Sequence, residues 1–147
     1  MAMTRGTVVQ AACHCRSVRF EIELTDGLNT ALRCDCSFCR MRGAVAVSAE
    51  LDGLKIVSGQ DTLTEYQFNT KVARHYFCSV CGIYTHHQRR SNPRQFGVNA
   101  ACIEGVSPFD FAEVPVVDGI NHASDRSGGA SGGSRIAGVL RYHAAGD

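Results

Sequence analysis

No apolar run in the 147 residues comes near the roughly 18 that a membrane-spanning helix needs. A charge of one sign is missing too: 15 basic residues stand against 14 acidic ones, for a net charge of +1. That balance leaves no electrostatic footprint for a nucleic-acid backbone or an anionic membrane, so neither is expected as a partner. The opening residues Met1 to Gly6 lead into only a few apolar side chains, too few for the core of a signal peptide. A soluble, cytoplasmic chain is therefore expected. Helical periodicity is scarce throughout. The length suits a single domain, residues 1–147, with enough chain to bury a core.

Against these absences stand eight cysteines. A secreted disulfide framework needs an oxidising compartment, and nothing in the sequence directs the chain to one. The spacing also points elsewhere. Cys13 and Cys15, then Cys34, Cys36 and Cys39, then Cys78 and Cys81 form tight clusters, with Cys102 left over. Neighbours that close aim their thiols at a shared centre, and gathered thiolates repel one another unless a cation sits among them. In a reducing cytosol such clusters predict a soft metal.

Short segments of alternating or β-branched character recur between turn residues. Val18 to Leu24 alternates and stops at Asp26-Gly27. Ala44 to Ala49 and Leu54 to Val57 flank Asp52-Gly53, the signal of a hairpin. Leu63 to Phe68 and Val72 to Phe77 form a second pair, broken near Asn69-Thr70. Ile83 to His87 and Gln95 to Asn99 form a third, split by Ser91-Asn92-Pro93. Asp110 to Val114 is a further candidate strand before Pro115. Ser37 to Arg42 predicts a turn or two of helix, stopped by Gly43. Many short strands at near-regular spacing predict a mainly β domain. Residues 127–134, all glycine, serine and alanine, read as a flexible segment. It is either a loop from which Ile136 to Tyr142 returns as a strand, or the start of a tail.

Cys78-Ser79-Val80-Cys81-Gly82 is a metal-knuckle signal: both sulfurs of a Cys-x-x-Cys turn face one ion, and the glycine lets backbone amides turn toward them. A tetrahedral zinc needs two more thiolates, which Cys13 and Cys15 can supply; the alternative is that these two are ordinary buried thiols. His14, between them, points away and is read as a non-ligand. Cys34, Cys36 and Cys39 cap a second ion from one loop and leave one tetrahedral position over. An open position is the hallmark of catalytic zinc, whereas Cys102 or a histidine in that place makes the site structural. Cys102 is otherwise a small buried apolar residue. His86, His87, Arg89, Arg90 and Arg94 make a local basic patch, either a solvated hairpin end or a place where arginines grip carboxylates bidentately. His75 and His122 are candidates for proton transfer, or else surface or satisfied histidines.

These elements together resemble a known family. Cys13-His14-Cys15, Cys34-Asp35-Cys36-Ser37-Phe38-Cys39-Arg40 and Tyr76-Phe77-Cys78-Ser79-Val80-Cys81-Gly82 are closely similar to the glutathione-dependent formaldehyde-activating enzymes, also called S-(hydroxymethyl)glutathione synthases or the centromere-protein-V-like family. Gly97 to Gly105 and Asp118 to His122 resemble the family as well. One departure is Arg16, where the family usually carries glycine. The resemblance implies an Mss4-like fold of several coiled antiparallel sheets, stapled by zinc. It implies two zinc ions per chain: a structural one on Cys13, Cys15, Cys78 and Cys81, and a more labile one at the active site on Cys34, Cys36 and Cys39. The implied activity is that of a carbon–sulfur lyase, adding the thiol of glutathione to formaldehyde. A zinc-stabilised binding module, or a lyase acting on another sulfur compound, are the competing expectations. Three thiolate ligands weaken the Lewis acidity of such a zinc, which favours orienting and thiol-activating roles. Arg89 and Arg90 are the expected contacts to the glutathione carboxylates.

Overall fold

The computed structural model describes residues 7–121 and 135–146. Strands β1 (Val8–Ala12), β2 (Arg19–Leu24), β4 (Ala46–Ser58), β5 (Leu63–Tyr66), β6 (Arg74–Cys78), β7 (Tyr84–Gln88) and β8 (Gln95–Asn99) form a seven-stranded sheet. Its spatial order is β1-β2-β4-β8-β7-β6-β5, and its pairings are antiparallel. A second sheet holds β3 (Arg33–Cys34), β9 (Glu113–Val117) and β10 (Ile136–Arg141) in the order β10-β9-β3. Here β10 pairs antiparallel to β9, and β3 pairs parallel to it. The fold is Mss4-like and mainly β. No helix among the described residues is long and apolar enough to cross a membrane.

The alternation in β2 sends Phe20, Ile22 and Leu24 inward while Arg19 and Glu23 stay exposed. They meet Val47 and Ala49 of β4, Val98 of β8 and Val114 of β9 in one buried cluster. Full burial of each larger apolar side chain contributes about 1.5–3 kcal/mol. Cys13 and Cys78 border this core, whereas Cys34 lies on the second sheet and Cys39 on α1.

Two expected elements are corrected. Asp52-Gly53 makes no hairpin: β4 runs unbroken from Ala46 to Ser58. Its register against β2 steps from Leu24↔Ala49 to Ile22↔Leu54, so the dipeptide lies in a bulge. A Cβ on Gly53 would sit 2.9 Å from the Glu23 carbonyl oxygen, which is why the bulge needs glycine. The strand expected over Asp110 to Val114 begins later. Ser107 and Asp110 cap a 3-10 turn over Pro108–Asp110, and β9 then runs through Pro115. The proline is tolerated because β3 pairs with β9 only at Val116 and Val117, leaving that edge free beside it. The helix α1 occupies Ser37–Arg42 and is closed by Gly43 at φ 68°, as expected. Ile136–Arg141 does return as a strand, β10; residues 127–134 and His122 lie outside the described residues.

Candidate metal centres and the adjoining cavity

The β1–β2 turn carries Cys13 and Cys15, while Cys78 ends β6 and Cys81 lies in the turn before β7. The fold brings these four together, with all ligand sulfurs within 4.8 Å of one another. Cys13 Sγ and Cys78 Sγ each lie 3.7 Å from Cys15 Sγ. Zinc–sulfur bonds of about 2.3 Å in a tetrahedron demand sulfur separations of about 3.8 Å, so the group fits zinc. Backbone amides of Val18 and Val80 donate to Cys13 Sγ (3.3 Å) and Cys78 Sγ (3.4 Å). Gly82 turns the chain at φ 78°. Burial pushes the Cys13 thiol up to about 11, while the Cys15 amide helps pull Cys81 down to about 6. His14 is exposed and belongs to no ligand group.

The second group is more local. Cys34 ends β3, Cys36 caps α1 and Cys39 lies in its first turns; their sulfurs also fall within 4.8 Å of one another. The amide of Cys36 donates to Cys34 Sγ at 3.5 Å and that of Cys39 to Cys36 Sγ at 3.3 Å. Hydrogen bonds from Cys34, then Cys39, hold the Cys36 thiol far below its ordinary range, while those to Cys34 and Cys36 push Cys39 far above it. Three thiols this close drive one another's acidity apart, because their negative charges would share one small space. Among the described residues no fourth histidine, cysteine or carboxylate joins this group. Cys102 is 8% exposed in the core, with its Sγ 3.5 Å from the Tyr84 carbonyl oxygen. It belongs to neither group.

The three-cysteine loop opens into a cavity of about 650 Å³, within the size range of small-molecule sites. Its walls include His75, His87, Arg89, Arg90 and the stretch Val117 to Ile120. Arg89 and Arg90 thus share a cavity with the three cysteines. The basic patch is not a solvated hairpin end: His86 is buried, and Arg89 Nη1 donates to Ser48 Oγ at 2.8 Å. Arg89 Nη2 is buried with no hydrogen-bond partner among the described residues. Asp35 Oδ1 accepts from the Gly119 amide at 2.7 Å and ties the 117–120 stretch to the loop.

His75 is no surface histidine. The residue is 5% exposed, its ring stacks on His87 and Phe68 and meets Phe38 edge-on, and its Nδ1 lies 3.0 Å from Arg42 Nη1. Arg42 was not singled out in the sequence, although its place three residues past Cys39 puts it on the same helical face. Its guanidinium lies 3.6 Å over the Tyr84 ring and donates from Nη2 to Cys39 Sγ at 3.4 Å. The Tyr84 hydroxyl bonds to His87 Nδ1 and to the Gly97 carbonyl oxygen.

The family model described as glutathione-dependent formaldehyde-activating enzyme matches residues 8–113. The chain belongs to that family. Among solved structures, a crystal structure of a Rhodobacter sphaeroides protein is similar, at 57% sequence identity and a TM-score of 0.71. The match covers 73% of this chain and 98% of that one. Membership in the glutathione-dependent formaldehyde-activating enzymes carries an enzymatic function of the formaldehyde-activating type, with glutathione and formaldehyde as the implied substrates. Both cysteine groups could hold a metal ion, and their chemistry suits zinc.

Proposed function

We propose that this chain is a zinc-dependent carbon–sulfur lyase of the cytoplasm, a single catalytic domain that joins the glutathione thiol to formaldehyde as S-hydroxymethylglutathione. The observation that carries the reading is the opening of Cys34, Cys36 and Cys39 into the same cavity as Arg89 and Arg90. Two zinc ions serve different ends. Cys13, Cys15, Cys78 and Cys81 hold the structural one, whose binding free energy is folding free energy. Cys34, Cys36 and Cys39 hold the catalytic one.

Zinc at the second group supplies a lowered pKa to a thiol near it, raising the thiolate fraction at neutral pH. The chain's own residues do the rest. Arg89 Nη2 and the Arg90 guanidinium grip the glutathione carboxylates and set the distance from that anchor to the three cysteines. Phe68 and Leu32 supply apolar wall, which limits water around the aldehyde, a small electrophile that water would otherwise hydrate. The reverse direction, carbon–sulfur cleavage, uses the same contacts.

The test is exchange spectroscopy of formaldehyde and glutathione with the zinc-loaded chain, against the uncatalysed rate. Exchange well above that rate is expected. Reversing both charges, Arg89→Glu with Arg90→Glu, raises the KM for glutathione about 10–100-fold, the worth of one charged hydrogen bond. Unchanged thiol affinity removes the arginines from the site. One tightly held zinc per chain, with the loop cysteines freely alkylated and no turnover, makes the chain a binding module instead. Full zinc content with turnover of a different thiol only makes it a lyase for another sulfur compound.

A further inference from the structure

One guanidinium joins the second cysteine group to a histidine. Arg42 donates from Nη2 to Cys39 Sγ at 3.4 Å and reaches His75 Nδ1 from Nη1 at 3.0 Å. A guanidinium only donates, so His75 Nδ1 must accept, and the ring's proton sits on Nε2. The imidazole has no other hydrogen-bond partner among the described residues, and it lines the cavity beside Cys36 and Cys39. Stacking on Phe68 and His87, with Phe38 edge-on, fixes the plane of the ring.

We propose that His75 Nε2–H is the hydrogen-bond donor to the aldehyde oxygen, and that Arg42 is the positioning residue that fixes the tautomer required. The step is the addition of a thiolate to formaldehyde. A sulfur–carbon bond forms, the carbonyl π pair moves onto oxygen, and the proton that the thiol lost to water returns to that oxygen. The charge on oxygen grows through the transition state, so a donor already aimed at it stabilises that state more than the ground state. His75 keeps its own proton throughout. A neutral imidazole suits this role, and burial, reinforced by the Arg42 charge, holds its pKa down to about 4. Arg42 also sets a positive charge against the negative charge of three thiolates around one divalent ion, without adding a ligand.

This inference rests on the formaldehyde-activating reading, and the experiment separates the two. His75→Phe keeps an aromatic ring in the stack and removes the donor. In zinc-loaded protein it lowers kcat about 10²–10³-fold, the usual cost of one such donor, with the KM for glutathione within about 3-fold of the parent. Nitrogen-resolved NMR of the parent chain shows the Nε2–H tautomer at His75; Arg42→Met mixes the tautomers and Arg42→Lys largely restores Nε2–H. Arg42→Met also weakens zinc at the second group about 10–100-fold in chelator competition, with the first group unmoved. Parent-like kcat in zinc-loaded His75→Phe, or an Nδ1–H tautomer in the parent, overturns the inference. If the parent itself shows no turnover above the uncatalysed rate, the proposed function fails. The Arg42–His75 relation is then still decided by the tautomer and chelator measurements.

Discussion

The backbone of Gly119 lies against the thiol of Cys34, so closely that a Cβ at residue 119 would overlap Cys34 Sγ and press on the Cys36 backbone. The Gly119 amide meanwhile donates to Asp35 Oδ1. The segment after β9 is thus a clamp on the three-cysteine loop, and glycine is the residue that lets it close.

Gly119→Ala is expected to displace that loop. Its zinc affinity falls about 10–100-fold, the usual cost of losing an outer contact to metal ligands. Chelator competition on the purified variant measures this. The four-cysteine group keeps its metal, because the clamp touches only the other one. Equal loss from both groups means that residue 119 serves the fold and not the loop.

The two groups also separate by substitution. Cys78→Ser removes a buried member of the four-cysteine group, and if that group holds the structural zinc the variant is expected to unfold or to lose tens of degrees in Tm. Cys36→Ser is expected to fold with near-parent circular dichroism and to lose turnover. Thermal melts beside exchange spectroscopy read both. A Cys36→Ser chain that fails to fold contradicts the division of roles.

Arg16 adopts φ 64°, in the left-handed region. A non-glycine residue in that region costs roughly 1–2 kcal/mol. Glycine returns about 0.5–1 kcal/mol of that through its freer unfolded chain. Arg16→Gly is therefore expected to stabilise by about 0.5–1 kcal/mol, seen as a small rise in Tm. A fall in Tm shows that the arginine side chain contributes more than its backbone costs.

Burial lowers His75 and His86 to about 4 and takes His87 well below its ordinary value. All three are neutral in the folded chain at neutral pH, while in the unfolded chain they titrate near 6.5. Below that value the unfolded state binds more protons, so their contribution to stability is intact above about 6.5 and is lost progressively toward about 4. The imidazole resonances of these three in the folded chain should stay fixed from pH 8 to 5 and move only when the chain is unfolded in urea. A folded-state midpoint near 6.5 for His75 refutes this.

What was legible in the sequence was local. The alternation of β2, the turns between β5 and β6 and between β7 and β8, and the short helix closed by Gly43 each have their cause within a few residues. Asp52-Gly53 misled because the same dipeptide serves a turn or a bulge, and only the partner strand decides; here the Glu23 backbone does. Strand β1 carries few alternating positions and β3 is two residues long, so neither announces itself. The cysteine groups were legible because chelation needs close spacing. The pairings of Arg42 with His75, of Asp35 with Gly119 and of His87 with His75 were not, because the partners come from separate elements, and an arginine near cysteines reads the same on a surface as in a wall.

The two cysteine groups differ in how far apart along the chain their members lie. Cys34 to Cys39 emerge from the ribosome together, whereas Cys15 and Cys78 meet across 63 residues. Closing the longer loop costs roughly 2 kcal/mol more than closing a loop of a few residues. Metal can thus be captured by the short loop before most of the sheet exists, but by the four-cysteine group only after β6 has been made. The early capture is premature, since the clamp from residues 117–120 and the cavity wall from β7 are still missing. Were both groups to take metal, the short loop could bind an ion that stays exchangeable until the last strands arrive, and the long-range group would fill as the sheet closes.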